Sequence, residues 1–170
     1  MNSWWWQRSR QAVRHVTARV SAGELVALRG WLTPEQMGLF LTMPPADRRH
    51  GLDVVAALDA AGHHDPDLRL AGLLHDVAKG PRVRLWHRVG WSLGERYGPR
   101  VRGALGALPG FAEPFERLRD HADRSAELAL AAGCSARTAA LIRAQVGPLD
   151  PASGIDARLG EALRLADEAN

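Results

Sequence analysis

A histidine and an aspartate stand next to each other in an apolar stretch of the chain, where an unpaired charge is costly. His75 and Asp76 lie within the segment AGLLHDVA, which has the pattern of a buried helix. Burial of an unpaired carboxylate costs several kcal/mol, so Asp76 needs a cation beside it. A divalent metal ion would meet this need, and a buried arginine is the alternative. Adjacent helical positions diverge by about 100°, so further metal ligands must come from other helices.

Two more polar residues lie where they can complete such a site. His50 shares a helical stripe with Val54 and Leu58, and its helix directly precedes the one that carries His75. Consecutive helices joined by a short loop normally pack antiparallel. Asp167 borders the apolar stripe of the last helix, whose dipole disfavours a carboxylate unless a cation is near. The alternatives are a core histidine with an ordinary hydrogen bond and an exposed chain end.

Two imidazoles and two carboxylates form a mixed nitrogen and oxygen ligand set. Such a set suits Mn, Fe, Co, Ni, Zn or Mg and leaves positions for water. The segments that carry it are RRHGLDVV, AGLLHDVAKG and LRLADEAN, in the order His, His-Asp, Asp. From residue 47 to the end the chain resembles the HD superfamily of metal-dependent phosphohydrolases, most specifically in AGLLHDVAKG. The resemblance implies a compact, all-α HD-domain helical bundle, with a divalent metal ion bound by His50, His75, Asp76 and Asp167.

The same resemblance implies an activity. In this family the metal activates a water molecule that attacks phosphorus, while positive groups neutralise the phosphate oxygens. We therefore expect hydrolysis of a small phosphorylated substrate, of which a nucleotide is one candidate. Asp76 and Lys79, the only lysine of the chain, then belong to the catalytic group, with Lys79 holding the phosphate. A cation placed near a helix end for its dipole is the alternative for Lys79.

His121 is the third candidate catalytic residue. Its segment, FERLRDHADRSAELALAAG, resembles the HxxxGAELLxxAG segment of HD proteins, with Ser125 in place of Gly. In members with two metals this histidine and another near the end of the next helix bind the second ion, and Gln145 stands at that second position. We therefore expect one metal per chain. His121 is then a substrate contact, a proton donor or a partial second ligand.

The elements that must position these residues are predicted to be helices. Ala, Leu, Arg and Glu dominate between Gly and Pro breaks, and 46% hydrophobic residues suffice for a core. Pro44 and Pro45 are expected to divide a helical N-terminal extension, residues 1–44, from the HD domain, residues 45–170. The predicted helices cover residues 9–20, then start at Ser21 and at the N-cap Thr33, and then cover 47–62 (capped by Asp47), 65–80 (capped by Asp65), 82–97, 99–108, 113–132, 136–146 and 157–169.

Other features bear on partners and location. Cys134 is the only cysteine, which excludes a disulfide within the chain and suits a reducing cytoplasm. No run approaches the ~20 apolar residues of a membrane helix, so a soluble, cytoplasmic protein is expected. The net charge of +3 permits nucleic-acid contact without requiring it. The tryptophans at 4–6 and the nearby arginines suit a membrane or RNA surface, but packing onto the domain or onto a second subunit of a homodimer is favoured.

A second function stays open at this point. The helices of an HD domain can persist as a catalytically weak or inactive scaffold that acts as a regulatory, nucleic-acid-binding or partner-binding module. Gln145 and the apolar segment 101–110 favour this alternative, whereas the complete ligand set favours the hydrolase. Arg82, Arg84 and Arg88 are expected either to face a phosphate group or to form a solvated basic surface.

Overall fold

The fold is described by a computed structural model, which defines residues 19–146 and 157–170. All regular secondary structure in these ranges is helical, so the predicted all-α class is confirmed. No helix within them is long and apolar enough to cross a membrane. The tryptophans at 4–6 and all but the last two residues of the helix predicted over 9–20 lie outside the described residues, and Arg19 and Val20 are not helical. The helices are α1 (Ala22–Arg29), α2 (Pro34–Thr42), α3 (Pro45–Ala60), α4 (Pro66–Leu74), α5 (Leu85–Tyr97), α6 (Pro99–Gly106), α7 (Ala112–Ala131), α8 (Ala136–Ala144) and α9 (Ala157–Ala169).

Local sequence signals fix the starts of three helices as predicted. Ser21 and Thr33 each accept a hydrogen bond from a backbone N–H three residues on, and the side-chain oxygens of Glu24 and Gln36 each accept one from the N–H of the cap residue. Asp65 caps α4 in the same way, at 3.0 Å. Each cap satisfies N–H groups that have no partner within the helix. These starts need only residues that are neighbours in the chain.

One hydrophobic core joins helices from both sides of the proline pair. Leu28 of α1 and Phe40 of α2 are buried in the same cluster as Val54 of α3, Leu74 of α4 and Leu163 of α9. The Glu24 carboxylate on α1 also pairs with the Arg49 guanidinium on α3. The described part of the predicted extension therefore contributes to the core around the candidate site.

Helices α3 and α4 approach each other almost backbone to backbone. A Cβ atom on Gly51 would lie 2.5 Å from the carbonyl oxygen of Leu73, closer than real contacts allow. A Cβ atom on Gly72 would lie 3.1 Å from Leu58. At position 51 only glycine leaves room for this backbone contact, whereas a Cβ atom at position 72 would require the Leu58 side chain to shift by a few tenths of an ångström. The close approach places the end of α4 beside His50.

The helix predicted to continue to residue 80 ends at Leu74 instead, so that part of the prediction is wrong. The next residues form tight turns, in which the Val77 N–H donates to the Leu74 carbonyl, three residues back. The Ala78 N–H donates to Ser125 Oγ of α7, at 3.1 Å. Gly80 closes the turn with a φ of +66°, a conformation that glycine adopts readily. The hydrogen bond from the Ala78 N–H to Ser125 thus replaces the backbone hydrogen bond that would have continued α4.

The predicted capping role of Asp47 is also wrong. Helix α3 begins two residues earlier, with Pro44 at the cap and Pro45 at the first helical position, where a missing N–H costs nothing. Asp47 is 1% exposed, and its two oxygens accept hydrogen bonds of 2.7 and 2.8 Å from Arg88 Nη2. The carboxylate therefore ties α5 to the first turn of α3.

Candidate metal centre

His75 and Asp76 form the buried centre of the candidate site, each 1% exposed. His75 Nδ1 lies 2.9 Å from the Gly72 carbonyl oxygen. A carbonyl can only accept, so Nδ1 donates and Nε2 is directed at the Asp76 carboxylate, 3.4 Å away. Neither His75 Nε2 nor Asp76 Oδ1 has a hydrogen-bond partner. A bound cation would satisfy two such buried polar atoms without partners.

His50 and Asp167 reach the same point from α3 and α9. Asp167 Oδ1 lies 2.8 Å from His50 Nε2 and 3.4 Å from His75 Nε2. Among the described residues, His50, His75 and Asp76 offer ligand atoms that all lie within 4.8 Å of one another. The structure therefore brings the four predicted metal ligands together, although His50 and Asp167 are 117 residues apart.

The distances and the donor types fit a divalent metal ion. Neighbouring ligands of a metal bound at about 2.1 Å are roughly 3 Å apart. The separations of 2.8 to 3.4 Å among Asp167 and the two histidines are close to this value. The His50 and Asp167 side chains are 25% and 36% exposed, so one side of the cluster is open. Solvent has access from that side.

The charges of the cluster depend on one another. Burial disfavours the charged form of His75. The nearby Asp76 and Asp167 carboxylates favour that form more strongly, and the pKa of His75 is raised to about 9. Burial likewise opposes ionisation of the two aspartates, yet their cationic neighbours hold the pKa of Asp76 and of Asp167 well below the usual value. Both aspartates are therefore ionised, and they face a site that favours positive charge.

Lys79 and His121 border the same carboxylate. Lys79 Nζ lies 2.5 Å from Asp76 Oδ2, and His121 Nε2 lies 3.6 Å from Asp76 Oδ1. His121 Nδ1 donates to the Leu118 carbonyl at 2.7 Å, which leaves Nε2 as an acceptor. Burial and the nearby Lys79 lower the pKa of His121. The three candidate catalytic residues are thus adjacent, with a neutral imidazole facing the cluster.

Two supporting residues were not predicted in these roles. Gln145 Nε2 donates to the backbone carbonyl of His75 at 3.2 Å. Ser125, fully buried, accepts the N–H of Ala78. The sequence marks both only as departures from the HD pattern, and both hydrogen bonds hold the turn that presents Asp76. The sequence does give a signal for these roles, because Ser125 and Gln145 are polar residues at positions where the HD pattern has a different residue.

The three arginines after the doublet have partners outside the ligand cluster. Arg82 pairs with Glu113 at an exposed position, and the Arg84 guanidinium lies 5.1 Å from the ring centre of Trp86. Arg88 pairs with the buried Asp47 carboxylate of α3. Arg82 and Arg84 also line a cavity of about 350 Å³ at the start of α7. Of the three, Arg88 therefore has a structural role.

No protein-family model, curated protein or solved structure matches this chain. The likeness to HD phosphohydrolases consequently depends on the motifs named above.

Proposed function

We propose that this protein is a metal-dependent phosphohydrolase of the HD type, with one divalent metal ion bound by His50, His75, Asp76 and Asp167. The observation that carries the proposal is that all four side chains meet, while two buried ligand atoms, His75 Nε2 and Asp76 Oδ1, have no hydrogen-bond partner. The ring nitrogens of His75 and His121 that face Asp76 Oδ1 lie 3.4 and 3.6 Å from it, and neither makes a hydrogen bond to this oxygen.

The two oxygens of Asp76 have different surroundings and would have different roles in the site. Oδ1 faces the ligand cluster, and Oδ2 holds the ammonium of Lys79. When bound, the metal ion would lower the pKa of a water molecule and polarise a phosphoryl oxygen. Lys79, with 17% of its side chain exposed, offers a point charge to the other phosphate oxygens. Asp76 thus orients Lys79 as well as serving as a ligand.

His121 supplies a proton acceptor next to these groups. In hydrolysis, a water oxygen bonds to phosphorus, the bond from phosphorus to the ester oxygen breaks, and the proton lost by water passes to the leaving oxygen. The free Nε2 of His121 can carry that proton, since Nδ1 is occupied by the Leu118 carbonyl. The low exposure of the His121 side chain, 12%, limits exchange of the proton with solvent.

The proposal is tested by phosphate release from a panel of nucleotides and simple phosphate monoesters, with Mn, Co, Ni or Mg added in turn. We expect release by the wild-type chain and a loss of at least about 100-fold in Asp76→Asn. Asp123→Asn, which removes an exposed carboxylate of α7, is the matched control and should retain activity. Absence of release with every metal from a correctly folded wild-type chain would favour the scaffold alternative.

A further inference from the structure

Helices α5 and α6 form a strongly basic part of the chain. Residues 82–102 contain six arginines and one acidic residue, Glu95, whereas the whole chain has a net charge of only +3, so the other residues together are net acidic. The Glu95 carboxylate accepts a hydrogen bond from Trp91 Nε1 at 2.9 Å. Four of the six arginines have no ion pair in the part of the chain that the structure describes: Arg84, Arg96, Arg100 and Arg102. This charge favours an anionic partner.

An apolar row of side chains, here called the α5 stripe, runs along the exposed side of α5. It consists of Trp86, Val89, Leu93 and Tyr97, whose offsets of three, seven and eleven place them on one side of a helix. Trp86, Val89 and Tyr97 are 51%, 45% and 58% exposed, and Leu93 is partly buried. At ~1.5 Å per residue the stripe is about 16 Å long. Such a row on a surface indicates contact with an apolar phase or an apolar partner.

The helix that carries the α5 stripe is fixed to the rest of the protein by its other residues. A Cβ atom on Gly94 would lie 2.6 Å from Arg102 Cβ, so α6 packs closely against α5. Arg88 pairs with the buried Asp47 carboxylate of α3. The α5 stripe is therefore presented on a helix whose position two neighbouring helices determine.

An arginine lies over the aromatic ring at each end of the α5 stripe. The Arg84 guanidinium is 5.1 Å from the ring centre of Trp86, and the Arg96 guanidinium is 5.6 Å from that of Tyr97. Trp and Tyr are enriched where the hydrocarbon of a membrane meets water, because one end of each side chain is apolar and the other is polar. Guanidinium groups bind phosphate groups. Both ends of the stripe thus combine the two contacts that a phospholipid surface offers.

We propose that the α5 stripe and its arginines form a docking surface for an anionic phospholipid membrane. The helix lies in the plane of the headgroups, with the stripe toward the acyl chains and the guanidinium groups on lipid phosphates. Single-stranded nucleic acid fits less well, because bases stack on successive aromatic rings and the aliphatic Val89 and Leu93 separate Trp86 from Tyr97. The docking surface goes beyond the proposed hydrolysis, since no residue of the stripe belongs to the ligand cluster.

Sedimentation with vesicles tests the docking surface in the full-length chain. The vesicles are made of phosphatidylcholine, either alone or with about 30% phosphatidylserine. We expect the protein to bind only the vesicles that contain phosphatidylserine, and to dissociate when NaCl is raised from about 0.1 M to about 0.5 M. Equal binding to both kinds of vesicle, or binding to neither, would overturn the proposal.

Two substitutions, each with a matched control, assign the binding to α5. Val89→Gln should weaken vesicle binding by about tenfold, whereas Val26→Gln, at a valine of α1 that is 64% exposed, should leave it unchanged. Arg96→Gln should weaken binding by about fivefold. Arg29→Gln, which also removes an exposed arginine from the last turn of its helix, should have little effect. Binding that neither α5 variant weakens would belong to another part of the chain and would overturn the docking surface.

Two further measurements identify other occupants of the α5 stripe. A wild-type dimer in sedimentation velocity that Val89→Gln converts into a monomer would assign the stripe to a second copy of the chain. Binding of an oligothymidylate that Arg96→Gln weakens, without binding of vesicles, would assign it to nucleic acid. Either result would overturn the membrane surface. Phosphate release from a soluble monoester should be equal in Val89→Gln and wild type, so failure of the docking surface is distinguishable from failure of the hydrolase.

Discussion

Substitution of Gly51 by alanine tests whether the contact between α3 and α4 sets the geometry of the metal centre. The added Cβ would lie 2.5 Å from the Leu73 carbonyl oxygen, and ordinary contact begins at 3.4 Å. The two helices must therefore separate by about 0.9 Å, the difference between these distances. Overpacking of this kind costs about 3 kcal/mol, and alanine regains about 1 kcal/mol through its better helix propensity. We expect a net loss of about 2 kcal/mol.

The same displacement should also weaken metal binding. His50 is next to Gly51 on α3, whereas His75 follows the end of α4, so a shift between the helices changes the distance between two ligands. Metal–ligand distances tolerate only about 0.2 Å of error. A separation several times larger should lower metal affinity by at least about tenfold, even in the fraction of Gly51→Ala that is folded.

Urea unfolding and metal titration of Gly51→Ala measure these two effects. Gly38→Ala is the matched control, because Gly38 is in the interior of α2, is exposed and has no atom within 4 Å of an added Cβ. It should gain up to about 1 kcal/mol and bind metal as the wild type does. If Gly51→Ala were as stable as Gly38→Ala and retained its metal affinity, the close helix contact would not control the site.

Three further substitutions test single interactions. Arg88→Ala leaves the buried Asp47 carboxylate without its cation and should cost about 3–5 kcal/mol in urea unfolding. Gln145→Leu removes the bond to the His75 carbonyl, and should cost about 1 kcal/mol and weaken metal binding by about tenfold in titration. Glu24→Gln tests an acid-sensitive contact. Hydrogen bonding from its arginine partner on α3 lowers the pKa of Glu24 from 4.5 to about 2. Its stabilisation is complete above pH 4.5 and is lost as the pH falls towards 2, so thermal unfolding of the variant should depend less on pH over that interval. The effect should be at most about 1 kcal/mol because the pair is partly exposed.

Each of these expectations has an outcome that would contradict it. Arg82→Ala removes an exposed ion pair and should cost at most about 1 kcal/mol. An equal cost for Arg88→Ala would mean that its buried pair contributes no more than a surface contact. Metal affinity unchanged in Gln145→Leu would show that the turn is held without that amide. If the thermal unfolding of wild type and of Glu24→Gln changed equally as the pH falls from 4.5 towards 2, the loss of stability in acid would come from other groups.

The starts of the helices could be predicted because their causes are local. The caps at Ser21, Thr33 and Asp65 require only hydrogen bonds to backbone three residues away. The apolar stripes also placed His50 and Asp167 at the border of the core, where the structure has them. The spacing of the apolar residues and the identity of the capping residues were sufficient for these predictions.

The remaining features depend on contacts between residues distant in sequence. Helix α4 ends early because Ser125 and Gln145 bond to the turn after it, 47 and 70 residues away from the groups they bind. The sequence predicts that Asp47 is an N-cap, but its carboxylate instead accepts hydrogen bonds from Arg88, which lies 41 residues later in the chain. A glycine in the interior of α3 does give a signal, because Gly51 lowers helix propensity and so indicates a close approach. Its partner helix is nonetheless visible only in the fold.

The proposed metal centre is tested by the metal content of the purified protein after exposure to Mn, Co, Ni or Zn and removal of unbound ions. We expect close to one ion per wild-type chain, almost none in His75→Ala/Asp76→Ala, and wild-type content in His64→Ala, which removes an exposed histidine. No metal in the wild-type chain, or equal metal in the double variant, would contradict the proposed centre. Two ions per chain would contradict the interpretation of Gln145.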